Sequence, residues 1–460
     1  MLRNMVTAAT GTGTVSSFRL PSQVGDLEAY GRSADVRTVL DAGLMYLFAF
    51  WKRGNVDEMI SLAAKLEIVA GAARTSRPAE AGDLLGTTFF FAGKIRQFVG
   101  DLAASSRMLE AAYVLADMSV ISHTRCNAGM GLAVNAAVAG EPARAEGWLA
   151  SANDSPRPHG RNAQFVRAAR RITLALVATG RLQQDEAESA LKGLTLEIPR
   201  EVQAFWLYAR AQHALLWGEP TAMIQQLEKA RLAYDGSSVP SAADWLLPTV
   251  EADLFMSMGR GNQAQTVLNA AHAPHPRIAV SRARLALLSG NHEVALSMCA
   301  EVRWDPSLTP REGRDLALVQ VVAHARAGRR KESVEILEEL VHEYRRGAPL
   351  CTFALLPRTL LTDLSTDIPG AEDLLDELNR HEIREVFPEH LELIKLTGKE
   401  AVVLAQLAGN FDAQHIAAEL HVTIATVKSQ RNSLYRKLGV GSRDEAVALG
   451  RELGLIPVTT

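Results

Sequence analysis

The feature that most constrains this chain is a helical period that runs almost without a break from residue 36 and is cut at regular intervals by glycine. Ala204, Tyr208, Ala211 and Leu215 fall at i, i+4, i+7 and i+11, which places them on one face of a helix. Met223, Leu227, Ala230 and Tyr234 repeat the spacing after the turn Trp217-Gly218-Glu219-Pro220, so the two stripes face each other in a helix hairpin. Glycines recur at 54, 100, 140, 180, 218, 261, 290 and 328. Two of the intervals are forty residues, two are thirty-eight, and the one from Gly261 to Gly290 is twenty-nine. Several of these glycines are followed five residues on by a small residue: Gly100–Ser105, Gly140–Ala145, Gly290–Ala295 and Gly328–Ser333. Glycine enters the left-handed conformation that closes a helix, and a small side chain lets the next helix come close.

A hairpin that can bury its apolar face only against its neighbours must stack, so the expected fold is all-α, an α-solenoid with a curved, concave groove. The units resemble tetratricopeptide-type repeats over roughly residues 36–364, with somewhat longer helices. Residues 1–35, including the run VTAATGTGTVSS at 6–17, read as a flexible N-terminal segment with no signal peptide. The most apolar stretch, LDAGLMYLFAFW at 40–51, is shorter than the roughly 20 residues that span a bilayer. Cys126, Cys299 and Cys351 are odd in number and widely spaced, which fits small buried side chains in a reduced compartment. A cytoplasmic protein with no membrane association is expected.

An enzyme is not expected. Gly93-Lys94 and Gly398-Lys399 lack the upstream glycine and the Ser/Thr of a phosphate-binding loop, and His292-Glu293 and His381-Glu382 lack the second histidine of a zinc motif. Glu338-Glu339 reads as a solvated helix face. No cofactor and no metal site is expected. The aromatics Phe89-Phe90-Phe91, Phe205-Trp206, Tyr208 and Trp245 can line an effector pocket in the groove or fill the core, and core packing is the preferred reading.

Residues 365–393 change character. Ile368-Pro369-Gly370 breaks the preceding helix, a charged helix is expected from Ala371 to about Glu385, and Pro388 ends it. This charged linker is either a hinge or a capping helix of the solenoid. The remaining residues, 394–460, form a separate module. Thr397 with Glu400 is a capping box that opens a first helix, ended by Gly409. Asp412 caps a short second helix carrying Ile416, Ala417 and Leu420. After the turn His421-Val422, Thr423 caps a third helix running to Leu438 and Gly439. Ser442 with Glu445 is a second capping box, opening a fourth helix. Short helices with a brief turn between the second and third are the layout of a helix-turn-helix. The third helix is expected to turn Ile424, Val427, Leu434 and Leu438 inward and Ala425, Lys428, Ser429 and Asn432 outward. It carries Lys428, Arg431, Arg436 and Lys437 and no acidic residue, although the chain as a whole has 49 basic and 52 acidic residues. Any affinity for nucleic acid is therefore local.

The module resembles the LuxR-type helix-turn-helix family in Leu396-Thr397, Glu400, Val403-Leu404, Gly409, Ile416-Ala417, Leu420, Thr426-Val427-Lys428, Leu434-Tyr435, Lys437-Leu438, Val440, Ser442-Arg443 and Ala446-Val447. Helical repeats ahead of such a module resemble the maltose-activator-like regulators, which usually carry an N-terminal ATPase, here without its phosphate-binding loop. The resemblance implies a bacterial transcription regulator that binds double-stranded DNA. It places Lys428, Ser429 and Asn432 at base edges and Thr426, Gln430, Arg436 and Lys437 at phosphates. It implies a homodimer on DNA through the fourth helix, under control of a small-molecule or protein effector in the helical-repeat groove. Arg431 and Gln430 depart from the family, which usually has an aliphatic residue and a histidine there; Arg431 either snorkels out of the core or adds a phosphate contact, and Gln430 can still donate to a phosphate. A reading from another class is a protein-interaction scaffold with a weak or accessory DNA-binding module.

Overall fold

The computed structural model describes residues 35–456 apart from 77, 154–157, 196, 235–241, 272–274 and 410. The flexible segment expected at 1–35 therefore lies, but for its last residue, outside the described residues. Among the described residues every regular element is helical.

Helices α1 (Val36–Arg53) and α2 (Val56–Ser76) make the first hairpin, and the one-turn α3 (Pro78–Ala81) leads into the next. Three hairpins follow: α4 (Leu84–Val99) with α5 (Leu102–Val114), α6 (Thr124–Val138) with α7 (Pro142–Asn153), and α8 (Gly160–Gly180) with α9 (Gln184–Leu191). Next come α10 (Arg200–Leu216) with α11 (Pro220–Tyr234) and α12 (Ala243–Ser257) with α13 (Gly261–Ala270). The last two are α14 (Pro276–Leu288) with α15 (His292–Val302) and α16 (Pro310–Arg326) with α17 (Arg330–Arg345). The two helices of a hairpin pack together, and from α4 to α16 each first helix also packs on the first helix of the following hairpin. The first helices therefore form the inner, most deeply buried layer.

The close-approach rule read from the sequence is obeyed and extends further. Gly100, Gly140, Gly290 and Gly328 have φ of 93°, 73°, 79° and 75°. Five residues after each sits a buried small side chain: Ser105, Ala145, Ala295 and Ser333. The two serines also bridge the hairpin, Ser105 donating to the Gly93 carbonyl and Ser333 to the Val321 carbonyl, both at 2.8 Å. Three of the expected glycines do not make the left-handed turn. Gly180 ends α8 and Leu182 takes φ 58° instead, while Gly259 at φ 77°, not Gly261, closes α12. Counting from these positions, Ala187 and Ala264 are again the fully buried residues five on. Gly261 is needed for a different reason. A Cβ there would lie 2.7 Å from Leu393 Cδ2, so it marks where the returning chain presses on the solenoid.

Among the described residues, contacts cross the inside of the superhelix. The superhelix is wound so tightly that early turns rest on late hairpins. Trp245 Nε1 donates to the Phe98 carbonyl at 2.9 Å, the Arg311 amide to the Ala139 carbonyl at 2.9 Å, and Arg314 to the Gly140 carbonyl at 2.7 Å. Among the described residues, cavities of about 20 and 30 Å³ lie between the inner helices, room for a water or two each. Phe205, Trp206 and Trp245 are core residues.

The stretch 365–393 packs against the array. α18 (Arg358–Ser365) and α19 (Ala371–Arg380) close the array, α19 ending before the expected Glu385. Leu374, Leu378, Ile383, Val386 and Leu391 belong to the main solenoid core. The Leu391 amide donates to the Leu288 carbonyl at 2.8 Å, and Arg384 to the Gly218 carbonyl at 3.0 Å. The segment's charges are on one face and its leucines on the other, and the solenoid's last hairpin had an apolar face to cover.

Candidate nucleic-acid interface

The C-terminal module has a core of its own, built from Val403, Leu404, Leu407, Ile416, Ala417, Val427, Leu434, Leu438, Ala446 and Ile456. Its helices are α20 (Gly398–Ala408), α21 (Ala413–Glu419), α22 (Ile424–Leu438) and α23 (Arg443–Glu452). Each starts at the cap expected from the sequence. Thr397 and Glu400 exchange both bonds of a capping box, Asp412 accepts from the His415 amide at 2.8 Å, and Thr423 accepts from the Thr426 amide at 3.1 Å. The box at α23 is displaced: Ser442 accepts from the Glu445 amide at 3.2 Å, while the Glu445 carboxylate reaches the Gly441 amide at 2.9 Å. His421, at φ 53°, makes the turn between α21 and α22.

α22 presents the face expected of it, with one exception. Val427, Leu434 and Leu438 are buried, and Lys428, Ser429 and Asn432 are exposed. Ile424, expected inside, is 39% exposed, because it is the first residue of the helix and lies beyond the edge of the three-helix contact. Arg436 is exposed, and Thr426, Gln430 and Arg431 are half-buried. The Arg431 guanidinium lies over the Tyr435 ring, 5.8 Å from its centroid, so the departure from an aliphatic residue is absorbed by packing the stem on an aromatic neighbour. The Thr426 hydroxyl lies 2.9 Å from that of Thr423.

Lys437 behaves differently from the other basic residues. Its ammonium bonds Glu400 at 2.6 Å and the Lys395 carbonyl at 3.3 Å, so a phosphate would have to compete with an internal carboxylate. Glu400 is the keystone of the module. Besides Lys437 it accepts from the Thr397 amide at 2.8 Å and from Ser433 Oγ at 2.9 Å. Burial pushes its carboxyl up, but the bonds from Lys437, Thr397 and Ser433 outweigh that and hold it down at about 2. One carboxylate thus ties the start of α20 to the middle and end of α22 and fixes how the latter is rolled. Sequence reading found Glu400 only as a cap. Its second job depends on Ser433 and Lys437, which lie at i and i+4 on α22, and that spacing is the signal that was available. Arg443 adds a further strut by donating to the Leu407 carbonyl at 2.6 Å.

The module leans on the solenoid through the end of α23. Thr266 donates to the Gly454 carbonyl at 2.9 Å and Gln263 donates to the Glu452 carbonyl, while Asn262 brackets the backbone of Ile394 with two bonds of 3.1 Å. The outward face of α22 is left open to solvent. Asp444, Ala448 and Arg451 on α23 are exposed as well.

A helix capped by threonine, rolled so that a lysine, a serine and an asparagine face solvent, and preceded by a short helix across a tight turn, defines a helix-turn-helix module. Residues 395–449 match the family described as bacterial regulatory proteins, luxR family, and the C-terminal module is a domain of that type. Among characterised proteins the chain is 41% identical over 64 residues to the transcriptional regulatory protein YdfI of Bacillus subtilis, covering 14% of this chain and 30% of that one. It is 32% identical over 120 residues to the HTH-type transcriptional regulator MalT of Vibrio cholerae, covering 26% of this chain and 13% of that one. It is 24% identical over 125 residues to the transcriptional regulatory protein ComA of Bacillus subtilis, covering 27% and 50%. The chain thus spans half or less of the length of the relatives it matches. Among the described residues no helix is long and apolar enough to cross a membrane.

Proposed function

We propose that this protein is a cytoplasmic DNA-binding transcription regulator in which α22 enters the major groove. Lys428, Ser429 and Asn432 read base edges, and Thr426, Gln430, Arg431 and Arg436 meet phosphates. Lys437 joins the phosphate set by exchanging Glu400 for the backbone when DNA is present. Two copies bind a dyad-symmetric site through α23, since linking two weak half-site contacts makes one strong one. The helical repeat receives an effector or partner and biases the module between docked and DNA-bound states.

The observation that carries this reading is the outward face of α22: exposed, basic, free of acidic residues, and held in its roll by an internal carboxylate rather than by the face itself. A regulator's name on YdfI, MalT and ComA supports it. The test is selection of bound sequences from random duplex DNA, followed by salt titration on the winner. The expected result is a palindromic preference and an affinity that falls steeply with salt. Absence of any DNA retention at low salt, with a protein partner bound tightly, would replace the regulator by the interaction scaffold.

A further inference from the structure

Ile424, expected in the core, instead stands at the leading end of α22, and its displacement gives that end an apolar tip. Ile424 is 39% exposed, and Val422, in the turn before it, is 37% exposed. Ala425 is exposed beside them. Leu420 and Val427, on either side in sequence, pack into the module's core, and neither Val422 nor Ile424 joins them there.

The same end carries a positive field. The first turn of α22 holds no acidic residue, whereas the first turns of α20 and α23 hold Glu400 and the pair Asp444 and Glu445. The Thr423 hydroxyl accepts from the Thr426 amide at 3.1 Å, so a neutral cap closes the helix and its dipole is left without a carboxylate. An apolar tip in a positive field fits a surface that is apolar at one point and anionic around it. The major groove offers that at thymine, whose edge carries a C5 methyl group between two phosphate backbones. No other base has a methyl group there. Ile424 and Lys428 stand at i and i+4, so they share a ridge of α22 and lie about 5–6 Å apart. At about 3.4 Å per base step, that separation is roughly one or two base pairs.

We infer that Ile424, with Val422 beside it, is a specificity-determining residue that reads the C5 methyl group of a thymine close to the base met by Lys428. The inference rests on the reading of α22 as the helix that enters the major groove. It adds an apolar contact to a base-reading face otherwise made of Lys428, Ser429 and Asn432, and so calls for a thymine that hydrogen bonding by those three would not select.

The experiment uses the full-length chain and the duplex obtained by selection from random DNA. Each thymine of a half-site is replaced in turn by deoxyuridine, which removes the C5 methyl group and keeps the base pair. At one thymine near the Lys428 position, affinity should fall about three- to five-fold, the worth of one buried methyl group. Ile424→Ala should lose a comparable factor on the thymine duplex and should no longer distinguish deoxyuridine from thymine at that position. Ile424→Val, which keeps a branched side chain, should retain the distinction. Both variants should keep the parent's thermal midpoint, because the side chain lies outside the core. A selected half-site without thymine there, equal affinity for the two bases at every position, or a deoxyuridine effect that survives in Ile424→Ala would overturn the inference and leave the regulator in place. A protein partner lost in Ile424→Ala with DNA affinity unchanged would overturn it as well and assign the tip to that partner. Absence of any retained duplex at low salt refutes the major-groove reading and this inference with it.

Discussion

Replacing Glu400 with alanine removes a carboxylate that ties α20 to α22. Three bonds go with it: the return arm of the α20 capping box, the Ser433 hydroxyl, and the Lys437 ammonium at 2.6 Å. Loss of a cap costs about 1 kcal/mol. Loss of a charge-assisted bond costs about 1.5–3 kcal/mol, toward the lower end here because Lys437 is 35% exposed and can turn to water. The expected total is about 2–4 kcal/mol, a large fraction of what a domain of some sixty residues commands at roughly 0.05–0.15 kcal/mol per residue. The measurement is amide hydrogen exchange, resolved by segment, on the full-length chain. Protection in α20 and α22 should fall by about 30- to 1,000-fold, with α4 to α17 unaffected. The sign with pH follows from the same group. Its carboxyl is held below its unfolded value near 4.5, so its contribution is full above that value and is lost as pH falls toward about 2. In Glu400→Ala that acid-labile increment should vanish. Unchanged protection of α22, or an increment that survives the substitution, would refute the role given to this carboxylate.

Lys428→Ala and Asn432→Ala should each cost about 1–3 kcal/mol and relax preference at one base position, whereas Arg436→Ala should weaken all sequences alike and lower the salt slope by about 1, all read by salt-titrated binding to the selected duplex. Leu434→Ala should destabilise the module by about 2–5 kcal/mol by hydrogen exchange, because the leucine is fully buried at its centre. Glu312→Ala, which strands buried Arg277, should cost the solenoid about 3–5 kcal/mol in denaturant unfolding. Ala145→Leu should cost about 1–3 kcal/mol in the same assay, since the alanine is fully buried in the hairpin of α6 and α7.

Much of this was legible from local rules. Helix starts at Thr397, Asp412, Thr423 and Ser442 needed only a side-chain oxygen three residues ahead of an amide, and the small residue five after each turn needed only hairpin geometry. The inward set Val427, Leu434 and Leu438 followed from the helical period. The misreadings arose where a neighbour distant in sequence decided. Gly261 looked like a helix end but is small because Leu393, far along the chain, lies on it. Ile424 had the right periodicity for the core and no neighbour to bury it. Arg277, Arg284, Arg311 and Arg314 escaped notice because an arginine in an apolar helix reads as a surface residue, and nothing local says that the superhelix will close over it.

The order of residues by itself determined an all-helical repeat, its approximate units, and a C-terminal module with a basic, acid-free third helix, because capping, periodicity and turn formation act over a few residues. Only the tertiary structure decided that side chains bridge the inside of the superhelix, that leucines of the charged segment join the repeat's core, and that Glu400 holds Lys437. Those outcomes depend on the small rotation between successive hairpins, which accumulates over the array and brings together groups more than a hundred residues apart.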